Sequence, residues 1–138
     1  MIAYLDSSVI LRVVLNQPAQ LTALRSVLLV VTSQLAEVEC LRTLDRLAIL
    51  GHLTIEESTR AREAVFGLMK EMEIVQISGL VLRRASSPMP APLGTLDAIH
   101  LASADIWREE QQKEPVVATH DRALALAARA SGFEVVGI

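Results

Sequence analysis

The sequence contains a single cysteine, Cys40. One cysteine excludes a disulfide framework within the chain and leaves too few ligands for a cysteine zinc site. A reducing cytoplasm is the compartment such usage predicts. Apolar residues flank Cys40 at helical positions, so its thiol is expected to pack rather than react. Aromatic residues are equally scarce, with one Trp, one Tyr and two Phe. That excludes a platform of aromatic rings as the means of holding nucleic-acid bases. No apolar run approaches the roughly 18 residues that a bilayer span needs, so no membrane partner is expected. The opening MIAYLDSSVI lacks the basic stretch of a secretory signal and reads as a strand. Positive charge is not in excess either: the formal net charge is −3. The chain as a whole therefore offers no electrostatic reason to bind nucleic acid. Clustered carboxylates, however, would lower the charge locally and a bound cation would restore it. A Gly-rich phosphate loop and a G-x-S-x-G elbow are both missing.

Apolar residues make up 51% of the chain against 21% charged, a balance that supports a packed core and excludes disorder. The length suits one domain, and residues 1–138 show no repeat, linker or low-complexity segment. Ile2 to Leu5 reads as a strand closed by Asp6-Ser7-Ser8, which can cap a helix carrying Val9, Ile10, Val13 and Val14. Pro18 is expected to open a second helix, buried through Leu21, Leu24, Val27 and Leu28. Leu29 to Val31 is a second strand. A helix then carries Leu35, Val38, Leu41 and Leu44 on its buried stripe and stops at Gly51. Thr54 and Glu57 form a capping-box pattern for the next helix, with Ala61, Val65, Leu68 and Met72 on one face.

A third strand is expected from Ile74 to Ile77. Residues 86–94 hold Pro88, Pro90, Pro92 and Gly94 and must be a loop. Thr95 is expected to cap a helix through Leu96, Ile99, Ala102 and Ile106. Val116 to Ala118 is a fourth strand, Asp121 heads a helix that Gly132 ends, and Val135 and Val136 form a last strand. Short β-branched strands alternating with helices predict an α/β fold. Its centre is a parallel sheet of about four to five short strands with helices on both faces.

Ligands of such sheets bind beyond the carboxyl ends of the strands. Asp6 and Asp121 stand there, Asp97 lies in the first turn after the proline-rich loop, and Glu39 lies in the helix after the second strand. Each acid has a plainer role open to it. Asp6 and Asp121 are good helix caps, Asp97 complements a helix dipole, and Arg42 is placed to pair with Glu39. His52 sits at a helix end. His100, one turn beyond Asp97, and His120, beside Asp121, lie where they can graze the site, but structural or solvated roles are expected for both. Trp107 is expected in packing or at an interface. Taken together, four converging carboxylates repel one another unless protons or cations intervene. Oxygen ligands without His or Cys select Mg²⁺ or Mn²⁺, ions that activate water and neutralise a phosphoryl transition state. The residues thus point to metal-assisted phosphodiester hydrolysis, without choosing RNA over DNA. Two alternatives stay open: a non-catalytic RNA- or protein-binding module on the same fold, and a phosphotransfer domain with Asp6 as nucleophile.

The segments YLDSSVILR, TSQLAEVECLRTL, LGTLDAIHLASA and VVATHDRALALAA together resemble the PIN-domain family, and within it the VapC toxins of prokaryotic toxin–antitoxin (VapBC) pairs. The resemblance runs in order along nearly the whole chain. It implies a PIN-like fold and carries the family's acidic positions onto Asp6, Glu39 rather than Glu37, Asp97 and Asp121, as catalytic residues and metal ligands. Ser8 and Thr119 take the places of their hydroxyl companions. It further implies a Mg²⁺- or Mn²⁺-dependent endoribonuclease that cuts tRNA or ribosomal RNA and inhibits translation. A homodimer is implied too, with a small cognate antitoxin whose tail crosses the active-site groove and whose basic side chain neutralises the carboxylates. Arg12 and Arg42 are the cations nearest the site in sequence.

Overall fold

The structure is a computed structural model that describes residues 1–17 and 22–138. Five strands form one sheet: β1 Ile2–Leu5, β2 Leu29–Ser33, β3 Glu73–Val75, β4 Val116–Ala118 and β5 Val135–Val136. All pairings are parallel and the spatial order is β3-β2-β1-β4-β5. The helices are α1 Ser7–Val14, α2 Leu35–Ile49, α3 Ile55–Glu71, α4 Gly79–Ala85, α5 Thr95–Gln111 and α6 Arg122–Ala130. The predicted parallel α/β sheet with helices on both faces is what the chain forms. Among the described residues no helix is long and apolar enough to cross a membrane.

Alternation along β1 divides the core. Ala3 and Leu5 face a layer made by α1, α2 and α3, where Val9, Ile10, Ala36, Cys40, Leu44 and Val65 are buried. Tyr4 faces the opposite layer with Leu101, Trp107, Val117, Leu124 and Phe133. Both faces of the central strands are covered, so they read as continuous apolar runs. Helix α5 is the most enclosed: the stretch Ala98 to Ala104 is buried throughout, and its small residues let it lie close to the sheet. Trp107 packs in this layer and donates its indole N–H to Glu73 at 2.9 Å. Asp105 accepts from Arg84 of α4 and Arg108 of α5, each at 2.5 Å, which ties the two helices together.

Local signals explain most boundaries. The Thr54 hydroxyl accepts from the Glu57 amide while Glu57 accepts from the Thr54 amide, the reciprocal capping box. Gly51 and Gly132 follow α2 and α6 with φ of +78° and +87°, the left-handed conformation that favours glycine after a helix.

Three expectations are corrected. Among the described residues of the expected second helix, the chain forms a short 3-10 helix, Thr22–Ser26, and Leu28 is 90% exposed. Leu24 and Val27 do pack against the core, while Pro18 and Leu21 lie outside the described residues. Val38, assigned to the buried stripe of α2, is 57% exposed; Leu35, Ala36, Cys40 and Leu44 supply that stripe instead. Between the third strand and the proline-rich loop the chain forms α4, which the apolar run Gly-Leu-Val-Leu conceals. Ser78 caps it through the Val81 amide, and Val81 is its buried anchor. The third strand also begins one residue earlier than expected, at Glu73, and ends at Val75.

Leu44 is fully buried beneath α2, the helix that carries Glu39. Leu44→Ala removes the anchor and leaves a cavity, so a loss of about 2–5 kcal/mol in urea unfolding is expected.

Candidate active site

Asp6 follows the last residue of β1 and caps α1, and it is only 4% exposed. A buried carboxylate must have its lone pairs satisfied. Oδ1 accepts from the Ser8 hydroxyl at 2.6 Å and from the Val9 amide at 3.3 Å. Oδ2 accepts from the Thr119 hydroxyl at 2.7 Å. Both hydroxyls are themselves held by the segment after β4. Ser8 Oγ accepts from the His120 amide at 3.0 Å, and Thr119 Oγ1 accepts from the Asp121 amide at 2.9 Å. Asp6 is thus clamped between the ends of two adjacent strands, with Ser8 and Thr119 as the clamp. A buried acid with both oxygens engaged is a poor nucleophile, which removes the support for a phosphotransfer role.

Asp121 caps α6, its Oδ1 accepting from the Leu124 amide at 2.8 Å. The cap role weighed for Asp6 and Asp121 is therefore real, and it fixes both acids at the sheet rim. The strand order explains the location. The chain leaves β1 toward β2 on one side and later returns to place β4 on the other, so the sheet reverses direction between β1 and β4. Such a reversal opens a crevice at the carboxyl ends, and Asp6 and Asp121 flank it.

Asp97 is the third residue of α5, whose N-cap, Gly94, has no side chain to close the helix end. Among the described residues its carboxylate makes no hydrogen bond or ion pair. Its pKa is pushed up to about 6, first by burial and next by the negative charge of Asp121, with Asp6 and Glu39 adding to the effect and His100 opposing it. All four predicted acids therefore lie within electrostatic reach of one another. Glu39 lies in the second turn of α2 with 18% of its side chain exposed.

Arg42 does not pair with Glu39; it turns outward to Asp45 at 2.9 Å. The partner is His100, whose Nε2–H donates to Glu39 Oε1 at 2.5 Å. His100 is 1% exposed and receives the Tyr4 hydroxyl at Nδ1, 2.8 Å away. Sequence reasoning set His100 near the site but favoured a structural or solvated role for it, and missed Tyr4, although two signals mark them. His100 lies one helical turn after Asp97, and Tyr4 shares its strand face with Asp6. The His120 ring turns away to the Gly137 carbonyl at 3.0 Å. Cys40 is inert, its thiol pushed up to about 12 by burial and by Glu39 and Asp6.

The donor set suits a hard divalent cation in one respect and limits it in another. It offers carboxylate oxygens, one of them unpartnered and half-buried. Among the described residues, however, no three acidic, His or Cys side chains stand close enough to form a closed metal cage. Mg²⁺ keeps several waters and commonly takes only one or two carboxylates. The residues fit an open site of that kind and do not fit a structural cage. A groove of about 750 Å³ runs beside the site along Leu82, Met89, Pro90, Leu93 and Ile99. None of the four acids lines it, so side-chain chemistry rather than surface shape marks the site.

Residues 3–130 match the family pattern described as the PIN domain. The chain belongs to the PIN-domain family. This PIN domain is 30% identical over 137 residues to a Mycobacterium tuberculosis protein named Ribonuclease VapC46, an alignment that covers 96% of this chain and 95% of the relative. Its fold resembles a toxin–antitoxin complex from Klebsiella pneumoniae, with a TM-score of 0.68 and 18% identity, covering 98% of this chain and 96% of the other. It also resembles VapBC-5, a member of the VapBC family of toxin–antitoxin systems from Mycobacterium tuberculosis. There the TM-score is 0.62 and the identity 18%, over 99% of this chain and 98% of the other. At such identities the structural likeness establishes the fold alone.

The raised Asp97 pKa fixes a sign for stability. The folded protein holds this proton more tightly than the unfolded chain, so stability falls as pH rises from about 4 toward 6. Asp97→Asn removes that loss. In the metal-free protein the variant should melt above wild type at pH 7.5, and the two should converge near pH 4. Thermal melts across that range check it.

Proposed function

We propose that the chain is a divalent-metal-dependent endoribonuclease, the toxin of a VapBC-type toxin–antitoxin pair. Its substrates on this reading are phosphodiester bonds of cellular RNA of the tRNA or rRNA class, cut in the cytoplasm to inhibit translation. The observation that carries the proposal is Asp97: a half-buried carboxylate without a hydrogen-bond partner, beside three other acids, with a pKa raised to about 6. A protein bearing such a group is destabilised at neutral pH unless a cation occupies the site.

Mg²⁺ or Mn²⁺ is the cation this oxygen donor set suits: Asp97 with at most one neighbouring carboxylate would hold it directly, and the others of Asp6, Asp121 and Glu39 would hold it through its waters. When bound, such an ion polarises a phosphoryl oxygen and lowers the pKa of water. The chain's own residues do the rest. Ser8 and Thr119 fix the Asp6 carboxylate, and the Leu124 amide fixes one oxygen of Asp121 and leaves the other free. Asp97 sheds its proton above pH about 6, so its carboxylate is available to a cation at neutral pH. Four anions alone would repel an RNA backbone, which makes substrate binding as well as turnover dependent on the cation.

RNA rather than DNA is chosen because the relative at 30% identity is named a ribonuclease. The partners follow from the same kinship: a small antitoxin that sets a basic side chain among the carboxylates, and a second copy of the chain in a homodimer. Cleavage of total RNA by the antitoxin-free protein tests the proposal. Discrete fragments are expected with Mg²⁺ or Mn²⁺, with loss of activity in EDTA and in Asp97→Asn. Tight RNA binding by a metal-loaded protein that never cuts would favour a non-catalytic module instead.

A further inference from the structure

Glu39 and His100 are brought together across 61 positions of sequence, on α2 and α5. An ionised carboxylate has only acceptors, so the proton of this contact sits on His100 Nε2. The other ring nitrogen faces the Tyr4 hydroxyl at 2.8 Å, and the two rings meet edge to face, 77° apart. Tyr4 is 1% exposed, and a phenol is a hydrogen-bond donor at neutral pH. The phenol therefore supplies the proton at Nδ1 and leaves Nε2–H aimed at Glu39. Both nitrogens are satisfied, and both ring planes are fixed by the core. No rotation of the imidazole is available that keeps either bond.

The consequence lies in Glu39. Its side chain would otherwise be the freest of the four, being long and mounted on a helix rather than at a strand end. Oε1 is occupied by His100, and Oε2 has no partner among the described residues. We propose that Tyr4 and His100 form a buried positioning relay for Glu39, one that holds a single carboxylate oxygen toward the site and prevents Glu39 from binding a cation through both. His100 is a positioning residue here, not a catalytic one. The inference rests on the metal-dependent reading above.

Three full-length variants and two readouts test it. Mn²⁺ binding to the folded, antitoxin-free protein is followed by electron paramagnetic resonance, and RNA cleavage is measured separately. His100→Leu removes the donor and should weaken Mn²⁺ binding and lower kcat on the order of 10- to 100-fold, the usual effect of losing a group that orients a metal ligand. His100→Gln can present an amide N–H near the Nε2 position and should recover most of the loss. Tyr4→Phe keeps the ring packing and removes only the hydroxyl, so it should weaken Mn²⁺ binding several-fold at little change in melting temperature. A folded His100→Leu with wild-type affinity and turnover overturns the relay. If that variant does not fold, unchanged Mn²⁺ affinity in Tyr4→Phe overturns it equally. Wild-type protein that binds Mn²⁺ without cutting RNA defeats the ribonuclease reading alone, since the relay is still judged on Mn²⁺ binding.

Discussion

A charged carboxylate at the end of the central strand is the constraint around which the rest is arranged. Asp6 is nearly inaccessible to water, and burying an anion without partners is strongly unfavourable. Its lone pairs are satisfied by Ser8 and Thr119, whose hydroxyls are in turn held by amides of the β4–α6 segment. Local capping and long-range sheet order thereby become one device. The bonds that satisfy Asp6 also set the register between the ends of β1 and β4, and they place Asp121 at the same rim.

Asp97 and Glu39 bring the opposite problem to that rim. Asp6 is satisfied at both oxygens, Glu39 is held at one, and among the described residues Asp97 has no hydrogen-bonding partner. Natural interiors rarely leave a carboxyl in that condition without a reason outside the fold itself. Repulsion among the four acids stores unfavourable energy that a cation releases. On the proposed reading, the same repulsion would keep an anionic substrate away until a cation arrives. A net charge of −3 is compatible with a nucleic-acid enzyme on these terms, because the local charge at the site changes with occupancy.

Much of this was legible in the sequence. The strands around Asp6 and Asp121, the Thr54–Glu57 cap and the glycine stops at Gly51 and Gly132 are local signals, and local chemistry realises them. Asp6, Asp97 and Asp121 were singled out because each follows a recognisable strand or loop, and Glu39 because the family resemblance puts an acid at its position on α2. What escaped was non-local. Arg42 is the obvious partner of Glu39 by spacing, yet the partner comes from a helix 61 residues away. Tyr4 and His100 looked like core because they are core, and only the packing of α5 on the sheet turns them toward Glu39. Helix α4 escaped for a different reason: seven residues with one buried anchor give periodicity little to work on. The segment before β2 carried a helical apolar pattern, of which Leu24 and Val27 pack against the core while Leu28 is exposed.

The measurement that bears most directly on the account is an anomalous-scattering map from crystals of the antitoxin-free protein soaked in Mn²⁺. A divalent ion within coordination distance of the Asp97 carboxylate, in the crevice flanked by Asp6 and Asp121, is the predicted result. Well-ordered Mn²⁺ bound elsewhere, with Asp97 free of metal in a protein that still cleaves RNA, would contradict it.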